Sequence, residues 1–106
     1  MHKNELLTRT RQFAIRVFKL IKRLPKSEAA NVIAYQLLKA SSSVAANYRA
    51  VNHAISRVNF ANKIKIVVEE ADESNFWLSF MIDVELLQLD AELDFLIKES
   101  DISQPH

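Results

Sequence analysis

The sequence predicts an all-α fold, an up-down-up-down four-helix bundle with a short fourth helix, and three observations carry that expectation. The 106 residues include no glycine, where ordinary chains hold roughly 7%. Without glycine, left-handed turn positions are hard to build, so hairpin-rich β folds and glycine-lined phosphate loops are both disfavoured. Apolar residues recur at helical spacing over long stretches,. The only prolines are Pro25 and Pro105, which leaves few interruptions between them. A chain of this length fits a single domain, 1–106, long enough for one core and too short for two,.

The first helix is expected over about 4–24. Asn4 is placed to cap it, Glu5 suits its positive end, and Lys22 and Arg23 suit its negative end,. Leu6, Phe13, Val17, Leu20 and Leu24 form its stripe, widened by Leu7, Ala14, Phe18 and Ile21. An arc that wide exceeds what one neighbour needs and points to burial against another subunit as well. Arg9, Arg16, Lys19 and Arg23 are assigned to the opposite face, and Ile15 stands as an apolar oddity among basic residues. Pro25 ends the helix by pushing the residue before it out of the α region.

The second helix is expected over 27–52, capped by Ser27 with Glu28 in its first turn,. Ile33, Leu37, Val44, Tyr48 and Val51 continue one face through the small residues Ala40, Ser41, Ser42, Ser43, Ala45 and Ala46. Side chains this small let a neighbouring helix approach closely, so this stretch is read as the tight centre of the bundle. On that reading Ala46→Leu overfills a contact and costs ~1–3 kcal/mol. The third helix is expected over 56–83, capped by Ser56, with Phe60, Ile64, Val67, Val68, Ala71, Leu78 and Met81 inward and an aromatic cluster of Phe76, Trp77 and Phe80. After a break between Asp83 and Asp90, the fourth runs over 90–101, capped by Asp90, with Leu93, Leu96 and Ile97 inward. Ser100 to His106 reads as a fraying tail.

Charge divides the chain in two. Residues 1–26 carry a net +7, residues 27–68 a net +4, and the remainder a net −10, which together give the overall +1,. With no cysteine, disulfides and thiolate metal sites are excluded,. No apolar run approaches the ~18 residues of a membrane span and no signal-peptide pattern is visible, so no membrane association and a cytoplasmic location are expected.

The run QLLKASSSVAAN (Gln36–Asn47), then Ser56, Phe60 and Lys63, then Glu70, Glu73 and Trp77-Leu78, resembles the bacterial four helix bundle protein family, also known as the ribosomal RNA intervening-sequence proteins. The shared pattern covers three helices and the start of the fourth, and marks Gln36, Ser43, Asn47, Glu70, Glu73 and Trp77 as its structural motif. The resemblance implies an up-down-up-down bundle assembled as a ring-like homopentamer, with no defined chemical activity. A related accessory protein of diversity-generating retroelements binds RNA and a reverse transcriptase, which makes RNA or a nucleic-acid-binding protein an implied partner. Two departures stand out. Ala50 and Val51 occupy positions where many members carry Glu and then Gly or Ala, and the fourth helix stops early, which should leave a groove beside helices one and three uncovered.

No residue set converges on catalysis. A bundle metal site needs Glu on two helices and Glu-x-x-His on two more, and His2, His53 and His106 have no such partner. Glu70 and Glu73 share a helix face but lack an accompanying nucleophile or histidine, so a structural pairing with Lys39 or an arginine is preferred. Asn47 is read as a satisfied buried amide that fixes helix register, and Trp77 with its aromatic neighbours as core rather than a base-stacking platform. Arg9, Arg11, Arg16, Lys19, Lys22 and Arg23 are the candidate nucleic-acid contacts. The competing reading is a solvated face partly balanced by the acidic fourth helix. The expectation is therefore a non-enzymatic, homo-oligomeric interaction protein without metal or cofactor, reaching RNA through helix one. The rival is a purely structural scaffold in which basic and acidic halves meet between subunits.

Overall fold

The protein is described here as a computed structural model covering residues 3–103. Four helices appear in order, α1 (Lys3–Ile21), α2 (Glu28–Val51), α3 (Arg57–Asp83) and α4 (Ala91–Ser100), and no strand occurs among the described residues. Each helix packs on its chain neighbours, and α4 closes back on α1, so the four form a ring around one core. The long axis measures 43 Å, about the length of α3 at 1.5 Å per residue.

Capping explains the boundaries. The side chains of Ser27, Ser56 and Asp90 accept the backbone N–H groups of Ala30 (3.1 Å), Asn59 (3.0 Å) and Leu93 (2.8 Å), supplying donors at each helix start with an acceptor,. Asn4 is not a cap, because α1 already includes it. α1 also ends three residues earlier than the expected Leu24. Pro25 has no N–H to give to the Ile21 carbonyl, so the chain tightens into short turns, Arg23 N–H to Leu20 O and Leu24 N–H to Ile21 O,.

The connections manage without glycine. After α2 the chain stays right-handed at Asn52 (φ −63°, ψ −19°), and consecutive i→i+3 bonds from Asn52, His53 and Ala54 unwind the helix. After α3 a left-handed residue is needed, and Glu85 takes it at φ 61°. Its N–H bonds Ile82 O at 3.0 Å while Leu86 N–H reaches back to Met81 O at 2.9 Å, a Schellman closure,.

The core is built by all four helices: Phe13, Val17 and Leu20, Ile33 and Leu37, Leu78 and Met81, Leu93 and Leu96. Each fully buried leucine of this set contributes about 1.5–3 kcal/mol over its exposed state. This closed core spans only the part of the bundle that α4 reaches. Beyond it Ala40, Val44, Tyr48 and Val51 of α2 remain buried, yet α3 does not continue in kind. Ile64, Val67 and Ala71 are half-buried, and Phe60 and Val68 are 49% and 42% exposed. The inward stripe expected along the whole of α3 is thus covered only from Ser74 to Met81, because the ten residues of α4 end too soon.

Candidate functional site

Three features of the surface bear on function, and the first is an arginine ladder. Arg9, Arg16 and Arg23 lie seven residues apart, nearly two helical turns, so they stack on one side of α1,. Their partners run in the opposite direction along α4, as an antiparallel pair requires. Arg9 donates to both carboxylate oxygens of Glu99 (2.9 and 2.5 Å), Arg16 grips Glu92 through Nε and Nη2, and Arg23 bonds Asp90 at 2.6 Å. The Arg16 guanidinium also sits 3.8 Å from the centre of the Phe95 ring,. These hydrogen bonds hold the Glu92 carboxyl below its ordinary acidity range and raise Arg9 and Arg16. Asp90 is lowered first by the Leu93 N–H it caps and then by Arg23.

This changes the assignment of the six candidate nucleic-acid contacts. Arg9, Arg16 and Arg23 do not face away from the bundle; they flank α4 and are spent on it. Arg11, Lys19 and Lys22 remain exposed, with the Lys22 ammonium 4.7 Å above the Phe18 ring. Helix four therefore balances half of the basic set in the way the competing sequence reading anticipated.

The second feature is the motif on α2 and α3. Gln36, Ser43 and Asn47 are half-buried on α2, Glu70 and Trp77 are half-buried on α3, and Glu73 is exposed. Asn47 donates to Ser43 O and Ser43 Oγ, both at 2.9 Å, so its amide is satisfied within its own helix and does not tie one helix to another. Among the described residues no ion pair joins Glu70 or Glu73 to Lys39 or to an arginine, contrary to the pairing expected. Trp77 packs against the core, edge-on to Phe76 and Phe80 at 4.9 and 5.8 Å, whereas Phe76 is 54% exposed.

The third feature was not assigned from the sequence. The small residues of α2 split between two sides. Ala40 and Ser41 are fully buried, while Ser42, Ala45 and Ala46 floor an open groove between α1 and α2. Leu7, Ala14, Ile15 and Leu38 complete its apolar lining, and Arg11, Arg49 and His53 stand on its rim. The misplaced Ile15 was the signal for it, since an apolar side chain among basic ones implies a second apolar face. Ala46 is exposed here, so the tight contact expected around it does not exist within one chain. Among the described residues no group of three or more His, Asp or Glu side chains could hold a metal ion, and no helix is long and apolar enough to cross a membrane. His2 and His106 lie outside the described residues.

Comparison with known proteins agrees with this architecture. The family model described as "23S rRNA-intervening sequence protein" matches residues 2–103. The fold is similar to the crystal structure, at 1.70 Å, of a protein with unknown function from the S23 ribosomal protein family of Bacteroides thetaiotaomicron. The two share 30% identity and a TM-score of 0.84 over 94% of this chain and 88% of that one. No curated protein matches the sequence. An all-helical bundle with the α2–α3 motif in place, matched nearly end to end by the family model, leads to one conclusion: the chain belongs to the 23S rRNA-intervening sequence protein family.

Proposed function

We propose that this chain is a non-enzymatic interaction module that assembles with copies of itself, the α1–α2 groove of one subunit receiving the outer face of α3 of the next. The observation that carries this reading is the groove itself. Its floor of Ala14, Ser42, Ala45 and Ala46 admits a helix at close range, and Arg11, Arg49 and His53 give it a basic rim. The outer face of α3 supplies the complement: Glu69, Asp72 and Glu73 are exposed beside Phe76, and none of the three acids has an ion-pair partner among the described residues. A groove that meets a different surface makes a heterologous contact, and repetition of such a contact closes rings. The homopentamer implied by family resemblance is one such ring.

Two complementary variants test it. Arg11→Glu with Arg49→Glu spoils the groove, and Glu69→Lys with Glu73→Lys spoils the α3 face. Each alone should sediment as a monomer, because its groove rim and its α3 face then carry the same sign. A mixture of the two should assemble again beyond a dimer, because every contact between unlike variants pairs opposite charges. Assembly of either variant alone at wild-type size contradicts the reading.

A second reading, association with RNA, is supported by Arg11, Lys19 and Lys22, which α4 leaves exposed. Three phosphate contacts give a log–log salt slope of only about −2 to −3. Fluorescence anisotropy with RNA at two salt concentrations measures that slope, and binding unchanged by Arg11→Glu with Lys19→Glu contradicts this use of helix one.

A further inference from the structure

A helix can enter the α1–α2 groove in either of two directions, and four side chains distinguish them. Along α2 the groove presents Leu38, Ser42, Ala45, Arg49 and Asn52, spaced four, three, four and three residues apart. The outer stripe of α3 is Lys65, Glu69, Asp72 and Phe76, spaced four, three and four, and all exposed. Matching three-and-four spacing lets two such stripes meet along their length, as in the seam of a coiled coil. Neither stripe is the same at both ends. In the groove Arg11, Arg49 and His53 gather where α2 finishes, while Ile15 and Leu38 make the other end apolar. On α3, Lys65 and Glu69 come first and Phe76, 54% exposed, comes last. Asn52 adds an independent mark. Its side-chain oxygen is buried at the basic end of the groove, and no donor reaches it among the described residues. A buried acceptor without a donor favours a contact that brings one.

We propose that α3 of the next copy enters the groove parallel to α1 and antiparallel to α2, with Phe76 as its anchor over Ser42 and Ile15. This rests on the self-assembly reading and adds to it the direction of the contact and the residue that fixes it. The pairing of Glu69 with Arg49 sets the register. In the antiparallel sense each step forward on α3 is a step back on α2, so Asp72 meets Ala45, Phe76 meets Ser42 and Lys65 comes level with Asn52. The aromatic ring then lies on the small floor of the groove, and the Lys65 ammonium brings a donor to the Asn52 end. With the same pair kept and the direction reversed, Lys65 falls over Ala45, Asp72 faces Asn52, and Phe76 runs past the groove to Ser56. That places an ammonium on an apolar floor and a carboxylate against an acceptor, both unfavourable. Within one chain α3 runs parallel to α1, because α2 returns between them. Neighbouring copies joined in the proposed direction therefore point the same way, as in a ring whose axis runs along the helices.

The chain has no cysteine, so engineered pairs report the contact cleanly. Ala45→Cys with Asp72→Cys should give, on oxidation, a disulfide-linked ladder in non-reducing gels, since such bonds need Cα atoms about 4.4–6.8 Å apart. Asn52→Cys with Asp72→Cys, the pair that the reverse direction brings together, should give none. Two alanine variants make the same distinction without a cross-link. Phe76→Ala should raise the concentration at which the assembly dissociates at least about tenfold, as loss of an aromatic anchor does. Val58 lies on the same outer stripe and is 71% exposed, but in the proposed direction it falls past the end of the groove. Val58→Ala should therefore change the dissociation less than about twofold. Absence of the Ala45–Asp72 ladder, a ladder from the Asn52–Asp72 pair, or assembly weakened by Val58→Ala and not by Phe76→Ala overturns the proposed direction while self-assembly stands. A wild-type chain that sediments as a monomer overturns both.

Discussion

Two residues show how local chemistry sets the cost of this architecture. Glu85 occupies left-handed backbone at φ 61° where the α3 cap needs it. Left-handed helical backbone costs an L-residue roughly 1–2 kcal/mol, and glycine returns part of that gain through its freer unfolded chain. Glu85→Gly should therefore raise the urea-unfolding free energy by about 0.5–1 kcal/mol. An unchanged or lower value would mean that the Glu85 side chain compensates. Ala40 and Ala46 form the other comparison. Ala40 is fully buried and Ala46 exposed, although both belong to the same small-residue run. Ala40→Leu should cost ~1–3 kcal/mol by overpacking, while Ala46→Leu should leave monomer stability nearly unchanged. Equal losses in thermal melts would show that both sit in closed packing. Composition told that this run was small; only the relative placement of α1 and α3 decided which side was closed, and that is not a local property.

At the scale of helices, α4 is held by charge as much as by its short apolar stripe. Arg9 and Glu99 form the least exposed pair, with side chains 32% and 17% accessible. Arg9→Ala should cost about 1 kcal/mol, the upper end for such pairs. Asp90 and Glu92 are held below their ordinary values of 3.8 and 4.5. The unfolded chain therefore binds more protons than the folded one as acid is added. Their stabilisation is complete above about pH 4.5 and is lost as pH falls through the lower folded values. Urea midpoints taken from neutral pH to about pH 3 should show this loss, and Arg16→Met should flatten the Glu92 part of it. A wild-type slope retained in Arg16→Met would detach the acid sensitivity from the ladder. The helix boundaries were legible because Ser27, Ser56 and Asp90 are strong caps. The early end of α1 was missed because the clash of Pro25 acts four residues back as well as one,. The ladder was half legible. The acidic fourth helix was expected beside helix one, but the heptad spacing of Arg9, Arg16 and Arg23 was read as an outer face because they are flanking rather than opposite the core.

For the whole molecule, the divided charge of the sequence has two destinations. Part is neutralised inside the chain where α4 meets α1, and part stays outside as a basic groove rim and an acidic α3 face. The bundle itself was legible from glycine absence and helical periodicity, and the uncovered flank from the short fourth helix. The groove was not, since Leu7, Ile15, Leu38 and Ala45 come from two helices and read as extra core width until both are placed. The central claim is that this leftover surface exists to be covered by another copy. Native mass measurement of the wild-type chain at low and at high ionic strength tests it most directly. A closed assembly at low ionic strength that loosens as salt screens the basic and acidic faces is the predicted result. A single 12.2 kDa species under both conditions would contradict it.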